Sequence, residues 1–371
     1  MGRKMESESL FSLLDDYSKS GILRAHMPGH KGKSIAQMPP NLSALDVTEV
    51  AHFDDLHDAT GILATCQQRA AALYGAQNSF FLVGGATSGI LSAMSAALPY
   101  GGHILMARGA HQSAYHAAYL RRLRISYLYP QLTGESYRSC ETDLHIDSNT
   151  PIDSNSSSAL GTEYEAYKSW GYYAPCEPVT WQQVERALCE HPDIQAVLIV
   201  SPTYEGRIAD VQRIAEVVHR KGIPLIVDEA HGAHLGFHPR FAISSVQAGA
   251  DLVIHSMHKT LPTLTQSALL HCNGDLVDVG LLKRFLRVYQ SSSPSYLLLA
   301  SIENAITLLE NDAHSLFEAF LVRWNKMLDD LRGLQSLKVS VSANAPQDVG
   351  KLIISTEKID LSGKRFYDML L

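Results

Sequence analysis

The sequence lacks the features that mark secreted, membrane-spanning and nucleic-acid-binding proteins. Its five cysteines are widely spaced and include no C-x-x-C pair, which argues against a disulfide framework or a structural zinc site. No apolar run approaches the roughly 18 to 20 residues of a membrane-spanning helix, and the N-terminus is polar, unlike a signal peptide. A net charge of -7 gives no general attraction to nucleic acid or anionic lipid. We therefore expect a cytoplasmic protein with reduced thiols.

The sequence also lacks the complete motifs of two enzyme classes that parts of it resemble. Its 17 histidines invite a metal site, but no H-E-x-x-H is present, and Pro28-Gly29 prevents a helix between His26 and His30. Gly32-Lys33-Ser34 resembles the end of an ATPase phosphate loop, yet Met27 stands where that motif needs its first glycine. We expect neither a catalytic metal nor an ATPase site.

What the sequence does have is an alternation of apolar, β-type runs with stretches of helical periodicity. Buried strands that alternate with helices imply a mostly parallel sheet covered on both faces, so we predict an α/β fold. The predicted strands are 79–83, 103–107, 125–129, 194–200, 223–227 and 251–255, and the predicted helices between them are 67–74, 87–98, 181–189 and 210–221.

Three regions are predicted along the chain. Residues 1–45 form an N-terminal helix and arm, and residues 46–330 form the large domain with its connecting helices. A polar stretch at 133–180 interrupts the alternation and predicts a surface insertion. Residues 331–371 predict the start of a small α+β domain that the chain end truncates. Further elements are predicted in these regions: helices at 10–20, 295–310 and 313–334, and a strand at 351–355.

The most informative stretch is Ser256-Met257-His258-Lys259-Thr260, which follows the last predicted strand. A lysine amine can form a Schiff base with an aldehyde, and Asp228 can keep a pyridine nitrogen protonated, a pair typical of pyridoxal phosphate (PLP) enzymes. The pair Asp228-Glu229 also buries at least one carboxylate near the sheet rim, which is costly without a partner. A pyridinium N–H is one such partner, and a structural arginine is the alternative.

Other polar motifs follow predicted strands, where open parallel sheets bind their ligands. Gly84-Gly85-Ala86-Thr87-Ser88 opens a helix and predicts a phosphate cradle, with an ordinary helix start capped by Thr87 or Ser88 as the alternative. His111 follows the next strand and could stack on a cofactor ring or simply bind neighbouring polar groups. Proline and glycine around Thr203 and Tyr204 fix a turn, which is either part of the site or structural.

Taken together, these segments resemble the Orn/Lys/Arg decarboxylase family, in its shorter form without an N-terminal wing domain. The resemblance implies a fold-type I, aspartate-aminotransferase-like large domain with PLP as cofactor. One departure is Gly84-Gly85-Ala86-Thr87, where the family usually has Asn-Gly-Ser-Thr. The matching segments are 26–32, 46–49, 54–57, 85–89, 108–113, 202–204, 228–234, 256–266 and 291–296.

The resemblance also implies roles for single residues. Lys259 bonds the cofactor, Asp228 pairs with its ring nitrogen, His111 stacks on its ring, and His258 joins them as a catalytic residue. A homodimer or higher homo-oligomer with shared sites is implied as well. Further cofactor contacts are implied for Ala86, Thr87, Ser88, Thr203, His231, Ser256 and His258, and for Ser292 and Ser293 in the neighbouring subunit's site.

The predicted function is the decarboxylation of a basic amino acid to an amine and carbon dioxide. Resemblance to wingless bacterial members favours arginine, followed by lysine and ornithine. Glu205, Asp54 and Asp55 are candidates to meet the substrate's distal cation, and Lys259 or His258 would protonate the reacting carbon. Two alternatives stay open: another PLP reaction, such as transamination or a different lyase reaction, and a PLP-binding paralogue without catalytic activity.

Overall fold

The computed structural model describes residues 9–34, 41–130, 177–334, 336–340, 346–356, 358–359 and 361–371. A short 3-10 turn at Leu56–Asp58 precedes the third helix. In chain order the other elements are α1 (Leu10–Lys19), α2 (Leu42–Leu45), α3 (Ile62–Tyr74), β1 (Asn78–Leu82), α4 (Gly85–Ala97), β2 (His103–Ala107), α5 (Gln112–Arg121), β3 (Arg124–Leu128), α6 (Trp181–Glu190), β4 (Ala196–Val200), α7 (Val211–His219), β5 (Leu225–Asp228), β6 (Leu252–His255), α8 (Met257–Thr260), β7 (Ala268–Cys272), α9 (Val279–Tyr289), α10 (Tyr296–Arg332), β8 (Lys338–Ser340), β9 (Ile353–Ser355) and α11 (Gly363–Leu370).

The central sheet has seven strands in the order β1-β7-β6-β5-β4-β2-β3. The neighbours from β6 to β3 pair in parallel, whereas β7 runs antiparallel to both β1 and β6. Strands β1, β2, β4, β5 and β6 therefore all point the same way, and their carboxyl ends meet at one edge of the sheet. The predicted α/β fold with a mostly parallel sheet is confirmed.

Helices cover both faces of this sheet because successive strand side chains point to opposite sides. On β2, Ile104 and Met106 pack into a cluster with residues of α4 and α9. The intervening Leu105 and the final Ala107 pack into a second cluster, with α6 and α7. A third cluster joins α1, α3 and the first half of α10 over the β1 end of the sheet. The buried sheet therefore holds its strand ends in fixed positions.

Most predicted strand and helix boundaries agree with the structure to within one or two residues. The exception among the covering helices is α3, which begins at Ile62 rather than at residue 67. The predicted break between helices 295–310 and 313–334 is wrong, since α10 is one continuous helix of 37 residues. Asn311 and Asp312 are weak helix formers, but apolar residues on both sides of them keep contact with the core and carry the helix through.

The sequence pattern missed β7 and α9, because β7 follows β6 without the long helix that parallel strands need between them. The predicted insertion at 133–180 lies almost wholly outside the described residues, so it stays a prediction, as do the predicted domain limits. Within the described part of the chain, no helix combines the length and apolar character that a membrane span requires.

Candidate active site

The candidate site lies at the carboxyl edge of the sheet, around Asp228 and Lys259. Asp228 is the last residue of β5. Lys259 lies in α8, a single turn of helix that directly follows Ser256 at the end of β6. Because β5 and β6 are parallel neighbours, the two side chains come to the same edge, close enough for each to shift the pKa of the other.

The two carboxylates at the end of β5 have different surroundings. Glu229 is 1% exposed and binds both the N–H and the hydroxyl of Ser245, together with His255 Nε2 at 2.7 Å. Asp228 is 4% exposed and accepts one hydrogen bond from the described residues, that of the Ala230 N–H at 3.2 Å. Its burial raises its pKa, which the Ala230 N–H and the nearby Lys259 and His111 oppose. A buried carboxylate with so few donors is suited to a positively charged partner.

Among the residues that the structure describes, no arginine holds either carboxylate, which was the structural alternative that the sequence left open. Glu229 instead ends a buried chain of hydrogen bonds. His255 Nδ1 lies 3.1 Å from His271 Nε2, and His271 Nδ1 lies 2.7 Å from the Ser79 hydroxyl. Tyr74 packs on both imidazole rings. This polar chain within the core involves β1, β6 and β7, and no local pattern in the sequence predicts it.

Lys259 belongs to a row of three nitrogen-bearing side chains. Its Nζ lies 3.1 Å from His231 Nε2, and His231 Nδ1 lies 3.0 Å from the Nζ of Lys351. Burial and the neighbouring Lys351 lower the pKa of Lys259, against the attraction of Asp228. Burial and the two lysines also lower the pKa of His231, to about 4. The first effect favours the neutral amine of Lys259, which is the nucleophilic form of lysine, and the second favours a neutral imidazole at His231.

The turn after β1 leaves the N-terminus of α4 open to an anion. Gly84 is the N-cap residue and provides no side-chain cap, so the alternative in which Thr87 or Ser88 caps this helix is wrong. Ser88 is buried, and its hydroxyl donates to the Gly85 carbonyl at 2.9 Å. The first-turn N–H groups of a helix lack partners within it and carry the positive end of its dipole.

Three other predicted site residues, His111, His258 and Thr203, are held by hydrogen bonds within the protein. His111 is the N-cap of α5, where its Nδ1 lies 2.8 Å from the Ser113 hydroxyl. His258 Nδ1 lies 3.2 Å from the Ser267 carbonyl, which can only accept, so Nδ1 carries the proton. The Thr203 hydroxyl accepts the Arg207 N–H at 3.2 Å. These bonds fix the orientations of the side chains, while their contacts with a cofactor stay predictions.

Two of the three candidate partners for a substrate cation bind backbone instead. The Asp54 carboxylate accepts N–H groups from Asp55, Thr60, Gly61 and Leu63, and these bonds lower its pKa although burial raises it. The Asp55 carboxylate accepts the His57 N–H at 2.8 Å. Both shape the loop before α3, whereas Glu205 is buried in the turn after β4.

The predicted serine pair lies elsewhere. Ser292 and Ser293 are exposed in the turn before α10, and the residues that the structure describes include no hydrogen bond from either serine to the Lys259 row. Their entry into a neighbouring subunit's site stays a prediction. The described residues also include no group of three or more His, Cys, Asp or Glu side chains that could hold a metal ion.

These residues fit PLP. The Lys259 amine suits the aldehyde, the sparsely bonded Asp228 suits the ring nitrogen, and the uncapped α4 suits the phosphate. Next to this helix start, Gln266 accepts the Gly85 N–H at 3.0 Å. The following Ser267 has a buried hydroxyl without a partner among the described residues, as expected of a group that a bound phosphate would satisfy.

Fold and site together define a PLP-dependent enzyme of fold-type I. A family model described as "Orn/Lys/Arg decarboxylase, major domain" matches residues 8–137 and 170–358. The chain therefore belongs to the Orn/Lys/Arg decarboxylase family, whose members are PLP-dependent amino-acid decarboxylases.

Similar proteins agree with this placement. The chain is 30% identical over 367 residues to the uncharacterized protein YaaO of Bacillus subtilis, covering 96% of this chain and 67% of that protein. It is 29% identical to an arginine decarboxylase of Bacillus cereus, covering 95% of this chain and 72% of that enzyme. Among solved structures, the lysine decarboxylase LdcF of Francisella novicida superposes with a TM-score of 0.71 at 18% identity, over 91% of this chain and 46% of that chain. The last comparison shows the fold alone, and the chain spans less than half of that structure.

Proposed function

We propose that this protein decarboxylates a basic amino acid with PLP, and that its preferred substrate is arginine, which it converts to agmatine. The observation that carries the proposal is the position of a buried, sparsely bonded Asp228 near the exposed Lys259 at the carboxyl edge of the sheet. The identity of 29% to an arginine decarboxylase supports arginine ahead of lysine and ornithine.

The chain's own residues would hold the cofactor at several points. Lys259 would bond its aldehyde, Asp228 would face its ring nitrogen, and His111 would lie on its ring. Hydroxyl and imidazole groups around the strand ends would complete the contacts: Thr87, Ser88, Thr203, His231, Ser256 and His258, with the backbone of Ala86. When bound, PLP supplies an electron sink for the electron pair that stays behind when carbon dioxide leaves.

A proton must then reach the carbon that has lost its carboxylate. His258 holds its Nδ1 proton on the Ser267 carbonyl, so its second nitrogen is free to take up a proton and pass it on. Lys259 is the other candidate, since its amine lies at the same edge of the sheet and would be able to carry a proton when it is not bonded to the cofactor. His258→Asn separates the two, because it removes the free ring nitrogen while the asparagine N–H can still reach the carbonyl.

A basic substrate needs an acidic group at its far end. Among the three candidates that the sequence offered, we propose Glu205, because it is buried in the turn after β4, the strand next to β5. We expect Glu205→Gln to raise KM for arginine about tenfold, since a charge-assisted hydrogen bond contributes roughly 1.5 kcal/mol more than a neutral one. A change in kcat alone would place Glu205 elsewhere in the mechanism.

Mass spectrometry of products tests the reaction and the substrate together. The purified chain is incubated with PLP and equal amounts of arginine, lysine and ornithine, and a Lys259→Ala variant serves as control. We expect agmatine from the wild type and no amine from the variant. Cadaverine would identify lysine as the substrate, and putrescine would identify ornithine. A keto acid would indicate transamination, and bound PLP without any product would indicate a non-catalytic paralogue.

The assembly and location of the protein are part of the same proposal. We propose a cytoplasmic homodimer in which the exposed turn with Ser292 and Ser293 reaches the partner's cofactor. Light scattering on the purified chain measures the mass of the assembly. If the dimer forms, mixing Lys259→Ala with a Ser292→Ala, Ser293→Ala double variant should restore part of the activity, because one of the two mixed sites then holds no substitution.

A further inference from the structure

A second lysine reaches the candidate site from the C-terminal part of the chain. Residues 346–351 lie along the turn that follows β4. The Asp348 N–H donates to the Gly206 carbonyl at 2.8 Å, and the Ile208 N–H donates to the Pro346 carbonyl at 2.9 Å. These two bonds hold residues 346–351 against the turn, so the position of Lys351 is fixed by backbone contacts.

The same turn also contacts the side chain of Lys351. Gly206 has a φ of +87°, and a Cβ at that position would lie 2.6 Å from the Lys351 Cβ, so this turn approaches the lysine stem closely. The Lys351 ammonium lies 5.4 Å from the centre of the Tyr204 ring, a contact that favours a cation. Asp348 is nearby as well: burial raises the pKa of its carboxyl, while the bond from His234 at 3.0 Å, the Gly350 N–H and the charge of Lys351 lower it.

The hydrogen-bonded row Lys351–His231–Lys259 limits the protonation states that its three groups can adopt together. A neutral imidazole has one N–H and one bare nitrogen, whereas an ammonium group can only donate. If both lysines were charged, one of them would face the imidazole N–H, donor against donor, at 3.0 or 3.1 Å. The geometry is satisfied when one lysine is charged and the other is a neutral amine that accepts from the ring.

The surroundings decide which lysine is neutral. The Lys351 Nζ lies 5.4 Å from the centre of the Tyr204 ring, on the same turn as the carboxylate of Asp348. Lys259 faces a single carboxylate, that of the buried Asp228, and the charges that oppose its protonation come from Lys351. His111 is the remaining titratable group close enough to act on His231. The Lys351 ammonium then donates to Nδ1, and the Nε2–H donates to the amine of Lys259.

We propose that Lys351 is a positioning residue which, acting through His231, holds the Lys259 amine unprotonated and oriented before it bonds the cofactor. The inference rests on the proposed function and deepens it, since it explains how Lys259 is kept ready to react. It also links the C-terminal segment to the chemistry at the sheet edge.

Competitive acetylation of the full chain, purified without PLP, tests this inference. Acetic anhydride reacts with the neutral amine, so the pH at which Lys259 becomes half-reactive reports its protonation, and peptide mass spectrometry resolves each lysine. We expect Lys351→Met to raise this midpoint by on the order of one pH unit, from the loss of one charge within roughly 8 Å. Lys351→Arg keeps a donating cation and should stay near the wild type, as should the exposed control Lys221→Met.

An unchanged Lys259 midpoint in a Lys351→Met variant with the wild-type circular dichroism spectrum would overturn the inference. If that variant does not fold, nitrogen NMR of the histidine-labelled wild type decides instead, with His231→Gln used to assign the signal. We expect a protonated Nε2 and a bare Nδ1, and an imidazolium or the reverse tautomer would refute the proton arrangement. Neither the acetylation midpoint nor the NMR signal depends on turnover. A failed product assay would therefore not affect the interpretation of either measurement.

Discussion

Asp228 and Glu229 are adjacent in sequence and equally buried, yet they belong to different parts of the molecule. Glu229 points into the core and is bound by Ser245 and by the histidine chain of β6 and β7. Asp228 ends β5 at the rim, with one backbone donor and the Lys259 row nearby. Burial alone therefore does not identify the functional carboxylate. What separates the two is how many donors the protein itself provides for each.

The largest expected effect is the loss of activity in Asp228→Asn. A neutral amide cannot stabilise a positive charge on the ring nitrogen, and we expect kcat to fall roughly 100- to 1,000-fold, as for the loss of one preorganised electrostatic contact. The unfolding free energy should stay within about 1 kcal/mol of wild type, because the amide oxygen can still accept the Ala230 N–H. Steady-state kinetics and urea unfolding measure the two quantities, with the exposed Asp312→Asn as control.

Glu229→Ala should show the opposite pattern. It leaves His255 Nε2 and both Ser245 donors without their partner in the core, and we expect the unfolding free energy to fall by about 1–3 kcal/mol. Urea unfolding measures this loss. If Glu229→Ala instead kept its stability and lost turnover as severely as Asp228→Asn, the division between the two carboxylates would be wrong.

The histidine chain should also make stability depend on pH. Burial lowers the pKa of His255 to about 3 and holds that of His271 well below 6.5, so both remain neutral in the folded state. Below pH 6.5 the unfolded chain binds more protons than the folded one, so their contribution to stability is present above that pH and is lost as pH falls.

A variant of His271 isolates this contribution. The stability advantage of the wild type over His271→Asn should shrink by about 1.4 kcal/mol for each pH unit below the ordinary histidine pKa. Urea unfolding at several pH values measures the difference, and the exposed His116→Asn is the matched control. Burial raises the pKa of Glu229 to about 8, which acts in the opposite direction but is common to both proteins. A constant difference across the range would show that His271 is not a buried neutral group.

The smallest effect should come from Ser245→Ala. This change removes the hydroxyl that donates to Glu229 at 2.6 Å but keeps the backbone N–H bond. We expect the unfolding free energy to fall by about 1 kcal/mol, with kinetics unchanged. A loss as large as that of Glu229→Ala would mean that the hydroxyl, rather than His255, is the main partner of the buried carboxylate.

Local sequence patterns were sufficient to predict the sheet, the order of most strands and helices, and the position of Asp228 and Lys259 at the strand ends. These features depend on short apolar runs and on the residues that follow them. The pairing of Lys351 with His231, and of His255 with His271, depends on segments that meet only after folding. The continuous α10 was missed for the same reason, because core contacts on either side of Asn311-Asp312 outweigh their weak helix propensity.

The most direct test of the site is to find which lysine the cofactor bonds. Borohydride reduction of the PLP-loaded protein fixes the cofactor to that lysine, and peptide mass spectrometry then identifies the modified residue. We expect a single modification on Lys259, with Asp228→Asn still modified at the same position. Modification of Lys351, or of surface lysines without preference, would contradict the assignment of the site at the ends of β5 and β6.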